Sequence, residues 1–332
     1  MFDINFSIAY WLSTYYHIIG VISMIVDLFS IYLILFKSNK LDNFRYFLLN
    51  FQITCVFADI CVAFLFQPVP LYPLLAGYNM GIGVRYGASL HVGIACITFL
   101  LCYQIGSMII CFVHKHQTIA GTLKKFNIPK YLLILMFAYF PAYTVSVASI
   151  YSRLSVPETL KFGFVATTYP DLLPEFKSLP NFSIYDFSVH FKIFIIYAIT
   201  GGSIGFIVFS LVLLNIIRML SQLRLKISKS NYQKHRNAIW SLLAQFATSS
   251  TIFLPPIVCS FVILLGFNGS QVIVETFLVL ACLHSLLNVL VLVVTCPPYR
   301  KFVISLVKKT PRHHGLSTKL LKNSIVIINV NN

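Results

Sequence analysis

Seven uninterrupted apolar stretches, each long enough to cross a bilayer as a helix, leave this 332-residue chain little room for any other kind of structure. A helix rises 1.5 Å per residue, so roughly 20 apolar residues cover a hydrocarbon core of about 30 Å. The stretches run from Tyr16 to Phe36, Tyr46 to Phe66, Gly87 to Val113, Tyr131 to Ile150, Ile193 to Ile217, Ala238 to Leu265 and Val272 to Cys296. None alternates polar and apolar residues as a barrel strand does, and a bilayer offers no water to open peptide groups, so all are expected to be helices. The expected fold is all-α: a bundle of seven transmembrane helices forming one domain over residues 1–300, then a basic tail over 301–332.

Orientation follows from charge, because short cytoplasmic connections retain Lys and Arg. The first connection holds Lys37, Lys40 and Arg45, and the third Lys115, Lys124, Lys125 and Lys130. The fifth holds Arg218, Arg224, Lys226, Lys229, Lys234 and Arg236, and the tail Arg300, Lys301, Lys308, Lys309, Arg312, Lys319 and Lys322. These residues, most of the 25 Lys and Arg, face only Asp42 among acids. The amino terminus is therefore expected outside and the carboxyl terminus in the cytoplasm. The glycosylation acceptor pattern Asn-x-Ser/Thr occurs at Asn5, Asn181 and Asn268, all in segments that charge has already placed outside.

The formal charge of +16 is spread beside the spans rather than gathered on a soluble face, which fits topology and contact with membrane lipid headgroups and argues against nucleic acid. The first residues lack a basic region, with Asp3 their only charge, so the first span is expected to insert as an uncleaved anchor. All eight cysteines lie in spans or at their margins, so no disulfide can tie the long loop after span four to span three. That loop must be held another way or move. The two halves show no matched pair of broken helices, which removes support for an inverted-repeat transporter.

Charged groups inside a span cost about 2.5 to 3.5 kcal/mol at mid-helix and so need partners or a function. Asp27 and Asp59 both sit inside spans. Asp59 lies about two turns from the outer end of span two, and His91 about one turn into span three, so neighbouring helices could pair them. Asp27 reads as a residue that locks helix contacts. His284 and Asn288 are one turn apart on span seven, and Gly201 and Gly205 permit close helix approach on span five. Pro141 and the pair Pro255-Pro256 are expected to kink spans four and six. After span seven, Phe302, Val303, Leu306 and Val307 share a face, as in a short amphipathic helix on the inner leaflet, although a plain basic stop-transfer flank fits the same residues.

The segment Gln67-Pro68-Val69-Pro70-Leu71-Tyr72-Pro73 with Ala76-Gly77-Tyr78 closes span two. Taken with Leu48-Leu49-Asn50-Phe51-Gln52-Ile53, with His114-Lys115-His116-Gln117 leaving span three and with Pro298-Tyr299-Arg300 after span seven, it resembles the nematode serpentine chemoreceptors of class I, with class H a near second. The resemblance covers the chain from span one to Arg300. It implies a G protein-coupled receptor at the plasma membrane, in a sensory cilium, that takes a small chemical cue into the bundle and engages a heterotrimeric G protein. Under that reading the expected cue contacts are Asp59, His91, Tyr197, Glu275 and His284, and the expected transducer contacts are His114, Lys115, His116, Arg224, Lys226 and Arg300. The switch residues of rhodopsin-type receptors are missing from Phe112-Val113-His114-Lys115-His116, and Pro297-Pro298-Tyr299 only partly matches their seventh-span signature.

No metal-binding His-Glu-x-x-His pair, nucleophile elbow or phosphate-binding glycine loop is present, so neither enzyme activity nor a cofactor or metal is expected. The alternative is a ligand-gated cation channel of seven-span subunits, against which stands the lack of a carbonyl filter or a ring of acidic residues in the spans.

Overall fold

The computed structural model describes residues 4–37, 43–251, 257–259, 262 and 270–309. Its long helices are α1 (Tyr10–Phe36), α2 (Phe44–Ile60, continued as a wider π turn over Cys61–Phe66), α3 (Leu90–Leu123) and α4 (Lys130–Tyr151). After two short helices, α5 (Lys161–Thr168) and α6 (Leu173–Ser178), come α7 (Val189–Leu223), α8 (Lys229–Ser250), α9 (Ser270–Cys282), α10 (His284–Thr295) and α11 (Pro297–Lys309). Six described helices are long and apolar enough to cross a membrane, α9 and α10 together forming one of them. The predicted sixth span begins in α8; its Pro255-Pro256 pair and most of its second half lie outside the described residues, as do Lys40, Asp42, Asn268 and the tail beyond Lys309.

Large apolar side chains are exposed all around the bundle, among them Ile25, Phe57, Ile134, Phe206, Leu211 and Leu290. In water such a surface would aggregate, whereas in hydrocarbon it is the solvated face. Exposed Tyr10, Trp11 and Tyr86 lie toward one end and Tyr131 and Trp240 toward the other, the two levels at which amphipathic rings meet lipid headgroups. The chain is a multi-pass membrane protein.

One end of the bundle carries a small antiparallel sheet that the helical pattern did not foretell. Strands β1 (Pro68–Pro70), β2 (Ala76–Asn79) and β3 (Ser183–Ile184) pair in the order β1-β2-β3, with Val69 opposite Tyr78 and Gly77 opposite Ser183. The prolines that close the second helix cannot donate to a ladder, so β1 stands at the sheet edge. Gly77 is required at the crossing, because a Cβ there would come within 2.7 Å of the Val69 carbonyl oxygen. This sheet answers how the cysteine-free loop is held. The Tyr185 amide donates to Leu75 O at 2.8 Å and the Val156 amide to Ile184 O at 3.1 Å, while Phe176, Phe182 and Val165 bury against Leu71, Leu74 and Tyr78. The buried Lys161 adds a cation held by Glu158 and set 4.5 Å from the Phe182 ring centre. All eight cysteines are free thiols.

The amino-terminal segment docks on the same end. Asn5 exchanges hydrogen bonds with Gln271, its amide donating at 2.9 Å and its carbonyl accepting at 3.1 Å, and the Tyr78 hydroxyl receives the Ala9 amide at 3.2 Å. Asn5 is exposed and Asn181 half-buried, so two of the three acceptor asparagines sit at the sheet end. The opposite end carries Lys37, Lys124, Lys130, Arg224, Lys226 and Arg236 and is called the basic end below. Its interior is the aromatic cluster in which Phe209 stacks on Phe246 at 3.9 Å and Phe112 meets both edge-on.

Helix α3 departs from expectation in length. It was expected to end at Val113, yet it runs to Leu123 and stops only where Lys124 turns left-handed at φ 55°. The residues after Val113 contain no proline, and Thr118 and Thr122 return their hydroxyls to carbonyls one turn back, so the backbone has no local reason to leave the helix.

Helices α4 and α7 approach closely at Gly201, where a Cβ would lie 2.0 Å from the Tyr143 ring. That ring is fixed by its hydroxyl bond to Ala198 O at 2.8 Å and by stacking on Tyr139, so it cannot swing aside. Gly201→Val should destabilise the purified protein by about 1–3 kcal/mol through overpacking. Gly202→Val, where an added Cβ meets open space, should leave the melting temperature unchanged. Equal melting temperatures for the two variants would refute the contact.

Candidate functional site

Two buried polar clusters occupy the axis of the bundle. The deeper one is centred on Asp27 of α1, whose side chain is fully buried. Its Oδ1 accepts from Gln52 Nε2 of α2 at 2.9 Å and from Ser285 Oγ of α10 at 2.6 Å. Asp59, two turns beyond Gln52 on the same face of α2, faces Asp27, Ser23 and Ser285. Asn288, one turn after Ser285, donates to Ser249 Oγ of α8 at 3.2 Å and accepts from Thr248 Oγ1 at 3.2 Å. Gln104 Nε2 of α3 reaches Cys55 Sγ at 3.3 Å. Five helices therefore meet through side-chain hydrogen bonds in a region where water cannot replace a lost partner.

No Lys or Arg forms an ion pair with either carboxyl among the described residues. Asp27 Oδ2 and Asp59 Oδ2 are both buried without a hydrogen-bond donor there. The expected pairing of Asp59 with His91 is corrected: Asp59 turns inward to Asp27, and His91 is engaged elsewhere. Ser23, Asp27 and Ser30 lie four and three residues apart on α1, and that polar stripe in an apolar helix was the signal available for this cluster. That Gln52 and Ser285 are its partners was not legible, since they lie on other helices.

The second cluster lies beneath the sheet. His91 stacks on Tyr151 at 5.2 Å between ring centres, and its amide donates to Ser183 Oγ at 3.2 Å. The Tyr151 hydroxyl donates to the Tyr185 hydroxyl at 2.6 Å, and Tyr185 Oη lies 3.2 Å from His91 Nδ1. Burial pushes the Tyr185 phenol up to about 12, so it holds its proton at neutral pH. Nδ1 is thus engaged by Tyr185, and Nε2 is the ring nitrogen left over. Nε2 is buried and has no partner among the described residues. Close by, the Tyr72 hydroxyl faces the Cys259 thiol. Tyr151 and Tyr185 were missed in the sequence because they lie 60 and 94 residues from His91 on separate elements.

The remaining expected contacts disperse. Glu275 is buried at the sheet end and accepts from Gln271 at 3.1 Å, which ties it to the docked amino-terminal segment. His284 sits at the break between α9 and α10, with Nδ1 3.1 Å from Ala281 O. Tyr197 is 37% exposed and hydrogen-bonds Ser146 of α4 at 2.6 Å, so it lies on the α4–α7 seam and not on the bundle axis. A cavity of about 360 Å³ opens between α2, α3 and α4 beside Asn50, Tyr103 and Thr144, and none of the five expected cue contacts lines it.

At the basic end Arg224, Lys226 and Arg300 are exposed. His114, Lys115 and His116 are not a free surface, because α3 continues through them. Lys115 is 8% exposed with its ammonium 3.8 Å from the Phe44 ring centre, His116 is buried against Asn215 at 3.1 Å, and the His114 ring lies tilted against Phe47 at 4.5 Å between centres. They were expected in the connection after a helix that ends at Val113, whereas the helix continues through them to Leu123.

Asp27→Ala should leave Gln52 and Ser285 facing an empty acceptor site and destabilise the purified protein by about 1–3 kcal/mol. Asp27→Asn, which keeps one acceptor oxygen, should lose markedly less in the same thermal melt. Indistinguishable melts for Ala and Asn would mean that these hydrogen bonds hold nothing together.

The architecture is similar to that of squid rhodopsin, with a TM-score of 0.54 at 12% identity over 91% of this chain and 85% of that one, a likeness of fold alone. No curated protein sequence matches the chain. The family model for the serpentine type 7TM GPCR chemoreceptor Sri matches residues 2–303. With that match over nearly the whole chain and a rhodopsin-like bundle around a buried polar axis, the protein belongs to the serpentine type 7TM GPCR chemoreceptor Sri family.

Proposed function

We propose that this receptor detects a small chemical cue at the His91–Tyr151–Tyr185 cluster from outside the cell and passes the event to a heterotrimeric G protein at the basic end. The observation that carries the reading is His91: with Nδ1 engaged by Tyr185, its Nε2 is buried and meets no described residue, at the sheet end of a bundle whose family consists of chemoreceptors. A cue that fills this site presents a hydrogen-bonding group to Nε2 and an apolar body to the surrounding aromatic rings. Supporting the orientation, the basic residues concentrate at one end and the acceptor asparagines Asn5 and Asn181 at the other. The working location is the plasma membrane of a sensory cilium, the amino terminus outside.

Between the two ends lies the Asp27–Asp59–Ser285–Asn288 network, which joins α1, α2, α8 and α10. In this reading a shift of α8 relative to α10 exchanges the Asn288 bonds to Thr248 and Ser249, which gives the bundle its second packing. A cue drives signalling only as far as it binds one packing more tightly than the other. Glu275 and His284 flank the same axis and complete the proposed cue side, while exposed Arg224, Lys226 and Arg300 form the proposed transducer face.

In cells that express the receptor with a second-messenger reporter, Arg224→Ala/Lys226→Ala should lower the cue response at least about tenfold at equal surface expression. His91→Phe keeps the stacking and removes the ring nitrogens, and should weaken the potency of hydrogen-bonding cues by roughly tenfold, the worth of one buried hydrogen bond. A fast membrane current that survives complete G protein blockade would assign the protein to the channel class instead.

A further inference from the structure

A polar cavity of about 410 Å³ lies at the basic end, between the start of α8 and the junction of α10 with α11. Gln233, Arg236, Asn237 and Trp240 reach it from α8, and Thr295 and Arg300 from the other wall. The four α8 residues stand at i, i+3, i+4 and i+7, one face of a helix, so the cavity is written into the sequence as a stripe. Directly beside it, the Ser241 and Thr295 hydroxyls meet at 2.6 Å and hold α8 to α10.

Two features decide what fits. Two arginines line one cavity, and neither Arg236 nor Arg300 has a carboxylate partner among the described residues, which leaves two uncompensated positive charges beside the amides of Gln233 and Asn237. Guanidinium forks match phosphate oxygens two bonds at a time. The rim is apolar on the outer side of the bundle: Trp240 is 57% exposed and Val294, also on the lining, 52% exposed. A freely soluble anion would leave that rim unused, whereas a phospholipid sets its headgroup between the arginines and its chains along Trp240 and Val294.

We infer that this cavity is a binding site for the phosphorylated headgroup of an anionic phospholipid of the adjacent leaflet, bridging Arg236 of α8 and Arg300 of α11. The basic end faces the cytoplasm in the proposed orientation, so the lipid comes from the inner leaflet. Occupancy clamps the basic end of α8 to α11 and so favours the packing seen here over any in which α8 moves away.

The test uses the full-length receptor in nanodiscs of phosphatidylcholine doped with either phosphatidylinositol bisphosphate or phosphatidylserine, with lipid retained after detergent extraction read by native mass spectrometry. No signalling is needed, so failure here leaves the receptor reading untouched. The wild-type protein should retain the bisphosphate lipid, and Arg236→Gln/Arg300→Gln should retain it roughly tenfold less or worse, while Lys124→Gln/Lys125→Gln, at the same end but outside the cavity, should match wild type. Unchanged retention in the arginine variant overturns the site. Arg300→Lys keeps the charge and loses the fork: a loss smaller than that of Arg300→Gln supports the phosphate contact, and an equal loss points to damaged folding and overturns it. Soluble inositol trisphosphate bound as tightly as the lipid, with no effect of Trp240→Ala on either, would show that the free anion is the ligand and overturn the lipid assignment.

Discussion

Everything in this bundle follows from the absence of water in its solvent. A side-chain donor or acceptor placed inside a membrane helix finds a partner on a neighbouring helix or remains unpaired at a cost of several kcal/mol. Apolar packing does not distinguish one helix neighbour from another in hydrocarbon, since lipid tails are as apolar as Leu. Polar side chains do make that distinction. Asp27 chooses α2 and α10 through Gln52 and Ser285, and Asn288 chooses α8 through Thr248 and Ser249. The helix arrangement is set by a small number of such bonds, and the exposed isoleucines, leucines and phenylalanines around them are the solvated surface.

The same constraint explains what could be read from the sequence and what could not. Helix positions were legible because length and hydropathy are local properties: α1, α2, α4 and α7 contain their predicted spans and overrun them by a few residues. The end of α3 was misread because hydropathy marks where the membrane stops, not where the helix stops, and those points are ten residues apart here. The sheet was illegible because its strands are two to four residues long and the pairing of Gly77 with Ser183 joins segments from different loops. Candidate site residues were legible one at a time as polar groups in apolar runs. Their partners were not, since Asp27 to Ser285 spans 258 residues and only the folded bundle sets that distance.

Asp59 and His91 show how such an inference goes astray. Both belong to the inner face of adjacent helices, and depth along the helix axis brought them near in projection. Rotation decides contact, and each side chain was claimed by a third element: Asp59 by α1, and His91 by the loop that carries Tyr185. The outcome is a separation of tasks. The deep carboxyl cluster links helices to one another, whereas the histidine and tyrosines link α3 and α4 to the loop above them.

That loop gives the sheet end its particular character. It is fastened by β-pairing to β2, by the buried Lys161 and by aromatic packing, with no covalent bond to α3. Two of its residues, Ser183 and Tyr185, bond directly to His91, so the lid and the proposed cue contact are one hydrogen-bonded unit. A molecule that reaches His91 Nε2 therefore acts on a loop whose attachments can be exchanged one hydrogen bond at a time. A disulfide in the same place would hold the loop whether or not the histidine was occupied, and would uncouple the lid from the site beneath it.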